Sequence, residues 1–93
     1  MENKIQLVHP EGKKGLKIEA KKYEILKSTI FRIIESSNEN SFEDLLINCE
    51  KELFNHFNGS ISWYATWVKL DLEAKGIILC NRKGQKQMIK LGK

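Results

Sequence analysis

The stretch from residue 60 to residue 80 constrains the fold of this chain more than any other part of the sequence. It contains no proline or glycine before Gly76, and its apolar residues recur with the period of a helix. Gly76 suits the left-handed residue that ends a helix, and either Ser60 or Ser62 can cap the start. The stretch therefore predicts a helix over 60–75 that ends at a glycine and is followed by a short buried strand.

The predicted helix has apolar residues on two stripes, so it has to be covered on two sides. One stripe contains Ile61, Tyr64, Val68 and Leu72, and the other contains Trp63, Trp67, Leu70 and Ala74. The opposite, polar side is formed by Ser62, Thr66, Lys69 and Glu73. Asp71 lies between the stripes, where an unpaired carboxylate is costly. We interpret it as a structural acid bonded to a tryptophan N–H, a backbone N–H or a lysine; the alternative is a catalytic acid.

The rest of the chain divides into two further helices and several short strands. The predicted elements are strands at 4–8 and 16–19, a helix at 20–35, a helix that starts after Ser41 and runs to a turn at 56–59, and a C-terminal hairpin with strands at 77–80 and 86–91. A helix, a glycine-containing turn and a second helix are typical of a helix-turn-helix. The loop at 36–40 is too short to hold a strand. We therefore expect the third strand of the sheet to come from the N-terminal segment.

These elements predict one α+β domain over residues 1–93, a winged helix-turn-helix. It has three helices and a small antiparallel sheet, made of the C-terminal wing hairpin plus the N-terminal strand. Trp63, Val68, the run Leu-Asp-Leu-Glu-Ala-Lys-Gly at 70–76 and Ile78 form the pattern W-x4-V-x-LDLEAKG-x-I. This pattern resembles that of a small, uncharacterised bacterial winged-helix family, a domain of unknown function. The resemblance implies the fold and no established activity.

Charge is unevenly distributed along the chain. The net charge is +4; residues 28–60 carry two basic and six acidic side chains, whereas residues 61–93 carry seven basic and two acidic ones. A basic face favours a polyanion such as nucleic acid, although it also serves solubility alone. No apolar run is long enough to span a bilayer, and residues 1–3 begin no signal peptide, so we expect a cytoplasmic protein without membrane contact.

The first functional hypothesis is a DNA-binding module with weak or partly non-specific duplex binding by the helix 60–75 and the basic wing 81–90. The predicted nucleic-acid contacts are Ser62, Thr66, Lys69, Arg82, Lys83 and Lys86. The second is a protein-interaction module on the same fold, with a protein partner or a weak homodimer and no nucleic-acid binding. For it, Trp63 and Trp67 would be exposed anchors; the alternative is that the N-terminal strands cover them.

Nothing in the sequence argues for an enzyme. There is no phosphate-binding glycine loop, no Ser/His/Asp arrangement and no metal-ligand spacing, so we expect no catalytic residue, no metal and no cofactor. Cys49 and Cys80 stand among apolar neighbours without CxxC spacing. We interpret both as small buried hydrophobes rather than ligands or nucleophiles.

Overall fold

The computed structural model describes residues 3–12, 14–36 and 40–92. This part of the chain is an α+β fold with three helices and two small antiparallel sheets, which confirms the predicted class. In chain order the elements are β1 (Lys4–Val8), β2 (Lys14–Glu19), α1 (Ala20–Ser36), β3 (Asn40–Ser41), α2 (Phe42–Leu53), α3 (Ile61–Ala74), β4 (Ile78–Lys83) and β5 (Lys86–Leu91). None of the helices in these ranges is both long and apolar enough to cross a membrane.

The three helices and the C-terminal hairpin enclose a common apolar core. Each helix contributes side chains that are excluded from solvent, because its apolar residues recur every three to four positions and so share one face. Burying each large aliphatic side chain contributes roughly 1.5–3 kcal/mol. The side chains with no exposed surface are Leu26, Ile30, Leu45, Cys49, Val68, Leu72 and Ile78, together with Asp71.

Helix α3 ends as the sequence predicts. Gly76 has φ of +74°, a conformation that a residue with a Cβ rarely adopts. Its N–H donates to the carbonyl of Glu73 at 3.1 Å, and the N–H of Ile77 donates to the carbonyl of Leu72 at 3.0 Å. These are the two bonds of a Schellman motif, and they satisfy carbonyls that the helix end would otherwise leave unpaired.

Two serines begin helices α2 and α3. Ser41 Oγ accepts a bond from the N–H of Asp44 at 3.1 Å, as predicted. Of the two candidate caps for α3, it is Ser60 that accepts, from the N–H of Trp63 at 3.3 Å. Ser60 has the extended backbone that a cap requires, whereas Ser62 already lies inside the helix.

The predicted origin of the third strand is wrong. The sheet order is β3–β5–β4, and the third strand is the two-residue β3, in which Asn40 pairs with Ile89 and Ser41 pairs with Met88. A strand of two residues can fit between α1 and α2, because Ser41 pairs with β5 through its backbone while its side chain caps α2. The loop residues 37–39 lie outside the described residues.

The N-terminal segment forms a separate two-stranded sheet. β1 and β2 pair with each other, for example through Ile5 and Ile18, and pack against α1 and α3. The C-terminal hairpin doubles back as predicted, from Ile78 opposite Leu91 to Lys83 opposite Lys86. Its connection is tighter than expected, because β4 continues to residue 83 and leaves only two residues between the strands.

Candidate nucleic-acid interface

Among the described side chains of the β4–β5 hairpin, three cations are exposed. Arg82, Lys86 and Lys90 are exposed, and none forms a hydrogen bond or ion pair with any described residue. Arg82 is opposite Gln87 and shares the face of the core residue Ile89, whereas Lys86 and Lys90 lie on the other face. The hairpin therefore presents positive charge on both faces. Lys83 is the last residue of β4, and its side chain lies outside the described part.

Because Lys69 lies on the polar side of α3, it was expected to project into solvent. This expectation is wrong. Its side chain is buried, with 4% of the residue exposed. The ammonium lies 2.9 Å from Glu73 Oε1, 3.3 Å from Gln87 Oε1 and 4.9 Å from the centre of the Phe42 ring. Lys69 thus joins α3 to β5 and to the start of α2. The periodicity of α3 could not reveal this, because the covering residues are distant in the sequence.

Ser62 and Thr66 are half-buried on the accessible side of α3. The hydroxyl of Thr66 donates to the carbonyl of Ser62 at 2.8 Å, so its proton is committed within the helix. Its oxygen lone pairs can still accept a bond. Their assignment as nucleic-acid contacts remains a prediction.

Five ring side chains form a continuous strip across α3 and its neighbours. Centroid distances are 5.0 Å between Trp63 and Tyr64, 6.3 Å between Trp63 and Trp67, 5.3 Å between Phe57 and Tyr64, and 6.4 Å between His9 and Trp67. We call these residues the aromatic strip. Trp67, Tyr64 and Phe57 pack against the core, but Trp63 is 46% exposed. The alternative that the N-terminal strands cover Trp63 is therefore wrong.

Lys22 of α1 lies over one end of the aromatic strip. Its ammonium is 4.5 Å from the centre of the Tyr64 ring, 3.3 Å from the Tyr64 hydroxyl and 3.1 Å from Glu19. Burial lowers the pKa of Lys22, but the hydrogen bonds to Glu19 and Tyr64 outweigh it and raise the pKa above its usual value. The interaction holds Tyr64 in place against α1.

Asp71 is a fully buried structural acid, as interpreted from its position. Its Oδ1 accepts from the N–H of Val8 at 2.9 Å, and its Oδ2 accepts from the hydroxyl of Tyr23 at 2.7 Å and from Lys75 at 3.0 Å. Backbone and lysine partners were both expected; the tyrosine was not, although Tyr23 occurs on the apolar face of α1. The carboxylate thereby links β1, α1 and α3.

Contact with Asp71 changes the pKa values of Tyr23 and Lys75. Burial raises the pKa of Tyr23, and the hydrogen bond to the negatively charged Asp71 raises it further. Burial lowers the pKa of Lys75, but its hydrogen bonds to Asp71 and Tyr23 outweigh this and raise the pKa overall. At neutral pH a neutral tyrosine and a charged lysine both donate to the carboxylate.

The two cysteines differ in burial, and only Cys49 is fully buried as interpreted from the sequence. Cys49 has no exposed surface, and burial together with the charge of Glu52 raises the pKa of its thiol to about 12. Cys80 is half-buried, with its sulfur 3.5 Å from Gln87 Oε1. In the described ranges no three His, Cys, Asp or Glu side chains converge as metal ligands.

Comparison with known proteins leads to a family and not to an activity. A comparison with curated proteins finds no match, and a comparison with solved structures finds none either. The sequence pattern described as "Family of unknown function (DUF6958)" matches residues 4–88, which is nearly the whole chain. The expected membership of an uncharacterised family is thereby confirmed. This chain belongs to DUF6958, a family of unknown function.

Proposed function

We propose that this chain is a winged helix-turn-helix. The order α1, β3, α2, α3, β4, β5 supports this, with α2 and α3 as the helix-turn-helix and the β4–β5 hairpin as the wing. The pattern from Trp63 to Ile78 covers most of α3, the glycine that ends it and the first residue of β4.

Its proposed function is weak, largely non-specific binding of double-stranded DNA, of the kind that serves transcriptional regulation. The observation that carries this is the set of exposed wing cations Arg82, Lys86 and Lys90, none of which is paired with another described residue. Cations without protein partners can neutralise phosphates at no cost in broken ion pairs, and phosphate contacts supply most of non-specific affinity. The wing would therefore contribute most of the binding energy.

Helix α3 would contribute little sequence readout. Ser62 and Thr66 are its accessible polar groups, whereas Lys69 is buried in contacts with α2 and β5 and is left out of the proposed interface. Bidentate recognition of guanine needs an arginine or lysine at the groove. Because α3 has no other basic residue in its span, we expect similar affinity for unrelated duplexes.

The test is the salt dependence of duplex binding. The double variant Arg82→Gln/Lys86→Gln should lower the slope of log K against log salt by about 1.8, since each lost phosphate contact removes about 0.9. Both side chains are exposed, so the free energy of unfolding should change by less than about 0.5 kcal/mol. A matched control is Lys21→Gln/Lys51→Gln, which changes the same net charge at exposed sites on α1 and α2. Equal slopes for the two double variants would remove the wing from the proposal.

A second candidate is a protein-interaction module on the same fold. Two exposed aromatic side chains favour it: Trp63 at 46% and Phe54 at 69% exposure. The partner would be another protein or, in a weak homodimer, a second copy. Concentration-dependent association in sedimentation that Trp63→Ala abolishes, with no duplex binding at low salt, would favour this candidate over DNA binding.

A further inference from the structure

Helix α2 has an apolar surface on the side that faces away from the core. Ile47 is 48% exposed, and Phe54, which directly follows the helix, is 69% exposed. These are the two most exposed large apolar side chains in the described part of the chain. Residues seven positions apart lie on the same side of a helix, so the two side chains share one face. Apolar side chains that cluster on an exposed surface mark an interaction site.

One acid and one base lie between the two apolar side chains. Ile47, Glu50, Lys51 and Phe54 together line an open groove of about 400 Å³, and we call these four residues the α2 patch. Glu50 and Lys51 are both exposed, and neither forms an ion pair with a described residue. The patch therefore offers one charge of each sign, flanked by apolar side chains, to whatever binds there.

The backbone after α2 holds Phe54 in its exposed position. Asn55 has φ of +68°, a left-handed conformation that asparagine tolerates better than most residues, and the N–H of His56 donates to the carbonyl of Leu53 at 2.8 Å. Leu53 is buried, and Phe57 packs against the core. Phe54 thus lies between two anchored residues and is not part of a frayed helix end. Binding through it costs little backbone order.

We propose that the α2 patch is the contact surface of a homodimer, in which α2 packs antiparallel against α2 of a second copy. A twofold axis that passes between positions 50 and 51 places Ile47 opposite Phe54 of the second copy. The same axis places Glu50 opposite Lys51 of the second copy, and the symmetry repeats both pairs. Each side chain of the patch then meets a complementary one. The reversed patch is its own complement, and this favours a second copy over an unrelated partner.

Charge also selects the antiparallel orientation. In a parallel pair, Glu50 would face Glu50 of the second copy, and Lys51 would likewise face its own equivalent. Exposed Glu43 and Asp44 at the start of α2 would do the same. In the antiparallel pair these two acids lie about 20 Å along the helix axis from their equivalents, at 1.5 Å per residue. That distance exceeds the screening length of about 8 Å at physiological ionic strength, so their repulsion is small.

The predicted association is weak. Two turns of one helix from each copy bury less than the roughly 1,200 Å² of a standard interface, so we expect a Kd on the order of 10⁻⁴ M. At the lower protein concentrations of a duplex titration or a denaturation experiment the chain is then a monomer. Glu50 and Lys51 remain exposed under those conditions.

Sedimentation equilibrium from about 10 μM to about 1 mM tests the dimer. Phe54→Gln should weaken association at least about 10-fold, because the aromatic anchor is lost from both copies. Its melting temperature should change by less than about 4 °C, because the side chain is mostly exposed. The matched control is Trp63→Ala, which removes an exposed aromatic side chain from α3 and should leave the association unchanged.

Charge reversal tests the pairing of Glu50 with Lys51. Glu50→Lys and Lys51→Glu should each weaken self-association about 10-fold, because two like-charged pairs replace two ion pairs. The double variant Glu50→Lys/Lys51→Glu exchanges the two charges and should associate as the unmodified chain does. An equimolar mixture of the two single variants should also associate, because each then meets the opposite charge at both positions.

Each outcome supports or overturns the dimer. A chain that stays monomeric at about 1 mM overturns it, as does association that Phe54→Gln leaves unchanged. Association that Trp63→Ala abolishes would assign the contact to the aromatic strip. Single charge reversals without effect, or a mixture of them that stays monomeric, would overturn the antiparallel pairing. None of these measurements contains nucleic acid, so the proposed duplex binding stands or fails separately.

Discussion

Replacing Asp71 with alanine tests the central linkage of the fold. The carboxylate has no exposed surface and accepts bonds from the Val8 N–H, the Tyr23 hydroxyl and Lys75. The alanine variant leaves the buried Tyr23 hydroxyl, the part-buried Val8 N–H and the partly exposed Lys75 ammonium without their acceptor, and it opens a small cavity. The N-terminal hairpin loses a polar attachment to α3, because the Val8 bond joins β1 to that helix.

The expected cost is large for a chain of this size. Leaving a buried donor without its acceptor costs about 1–3 kcal/mol, so the loss at Val8 and Tyr23 together is about 2–6 kcal/mol. The Lys75 side chain is 39% exposed and can turn to solvent, so it adds little to this cost. At about 0.05–0.15 kcal/mol per residue, the total stability is only about 5–14 kcal/mol. One kcal/mol shifts the melting temperature of such a domain by about 4–8 °C, so Asp71→Ala should lower it by at least about 8 °C.

Urea denaturation followed by tryptophan fluorescence measures the loss, and hydrogen exchange at the Val8 amide locates it. Asp71→Asn keeps the shape and one acceptor oxygen but loses the charge, so it should cost about 1–3 kcal/mol and remain measurable if the alanine variant does not fold. Glu50→Ala removes an exposed carboxylate of α2 and should change the free energy by less than about 0.5 kcal/mol. A loss below about 1 kcal/mol in Asp71→Ala, or unchanged exchange at Val8, would refute the reasoning.

Three further predictions follow from other groups. Because Tyr23 and Lys75 both have a raised pKa in the folded state, their stabilisation is complete at neutral pH and is lost as the pH rises past their ordinary values of 10.0 and 10.5. Above about pH 10, the melting temperature of the unmodified protein should therefore fall more steeply with pH than that of Tyr23→Phe. Gly76→Ala should cost about 1–2 kcal/mol in denaturant titration from left-handed strain alone, since its new methyl meets open space, and a cost near zero would contradict this. In thiol labelling of the folded protein, Cys80 should react well before Cys49, and equal rates would show that the core opens freely.

The sequence predicted the features that depend on neighbouring residues. The end of α3 at Gly76 and the start of α2 at Ser41 follow from local backbone chemistry, because the bonds involved join residues three to five positions apart. The need for Asp71 to be paired follows from the cost of a buried charge, whatever the partner. These rules operate within one element and do not require the packing of the whole chain.

Features that depend on distant residues were beyond such rules. The exposure of Trp63 and the burial of Lys69 depend on which elements cover α3. Helical periodicity alone places Trp63 on a covered stripe and Lys69 on the polar side. The strand β3 was missed because two residues show no alternation. The bond between Tyr23 and Asp71 could not be predicted, since periodicity does not indicate which hydroxyl meets which carboxylate across 48 positions.

The sheet order β3–β5–β4 leaves β4 as an edge strand, with no strand pairing on its outer side among the described residues. The first half of β4 is apolar, and Leu79 is 41% exposed. A strand of a second chain could therefore pair with the backbone at this edge. Arg82 at the far end of the same strand is then a gatekeeper, since like charges repel when two such edges approach. The change Arg82→Gln, one of the two used above to test the proposed interface, should therefore also raise the rate of aggregation, and precipitation of that variant over time would reveal this role of the charge.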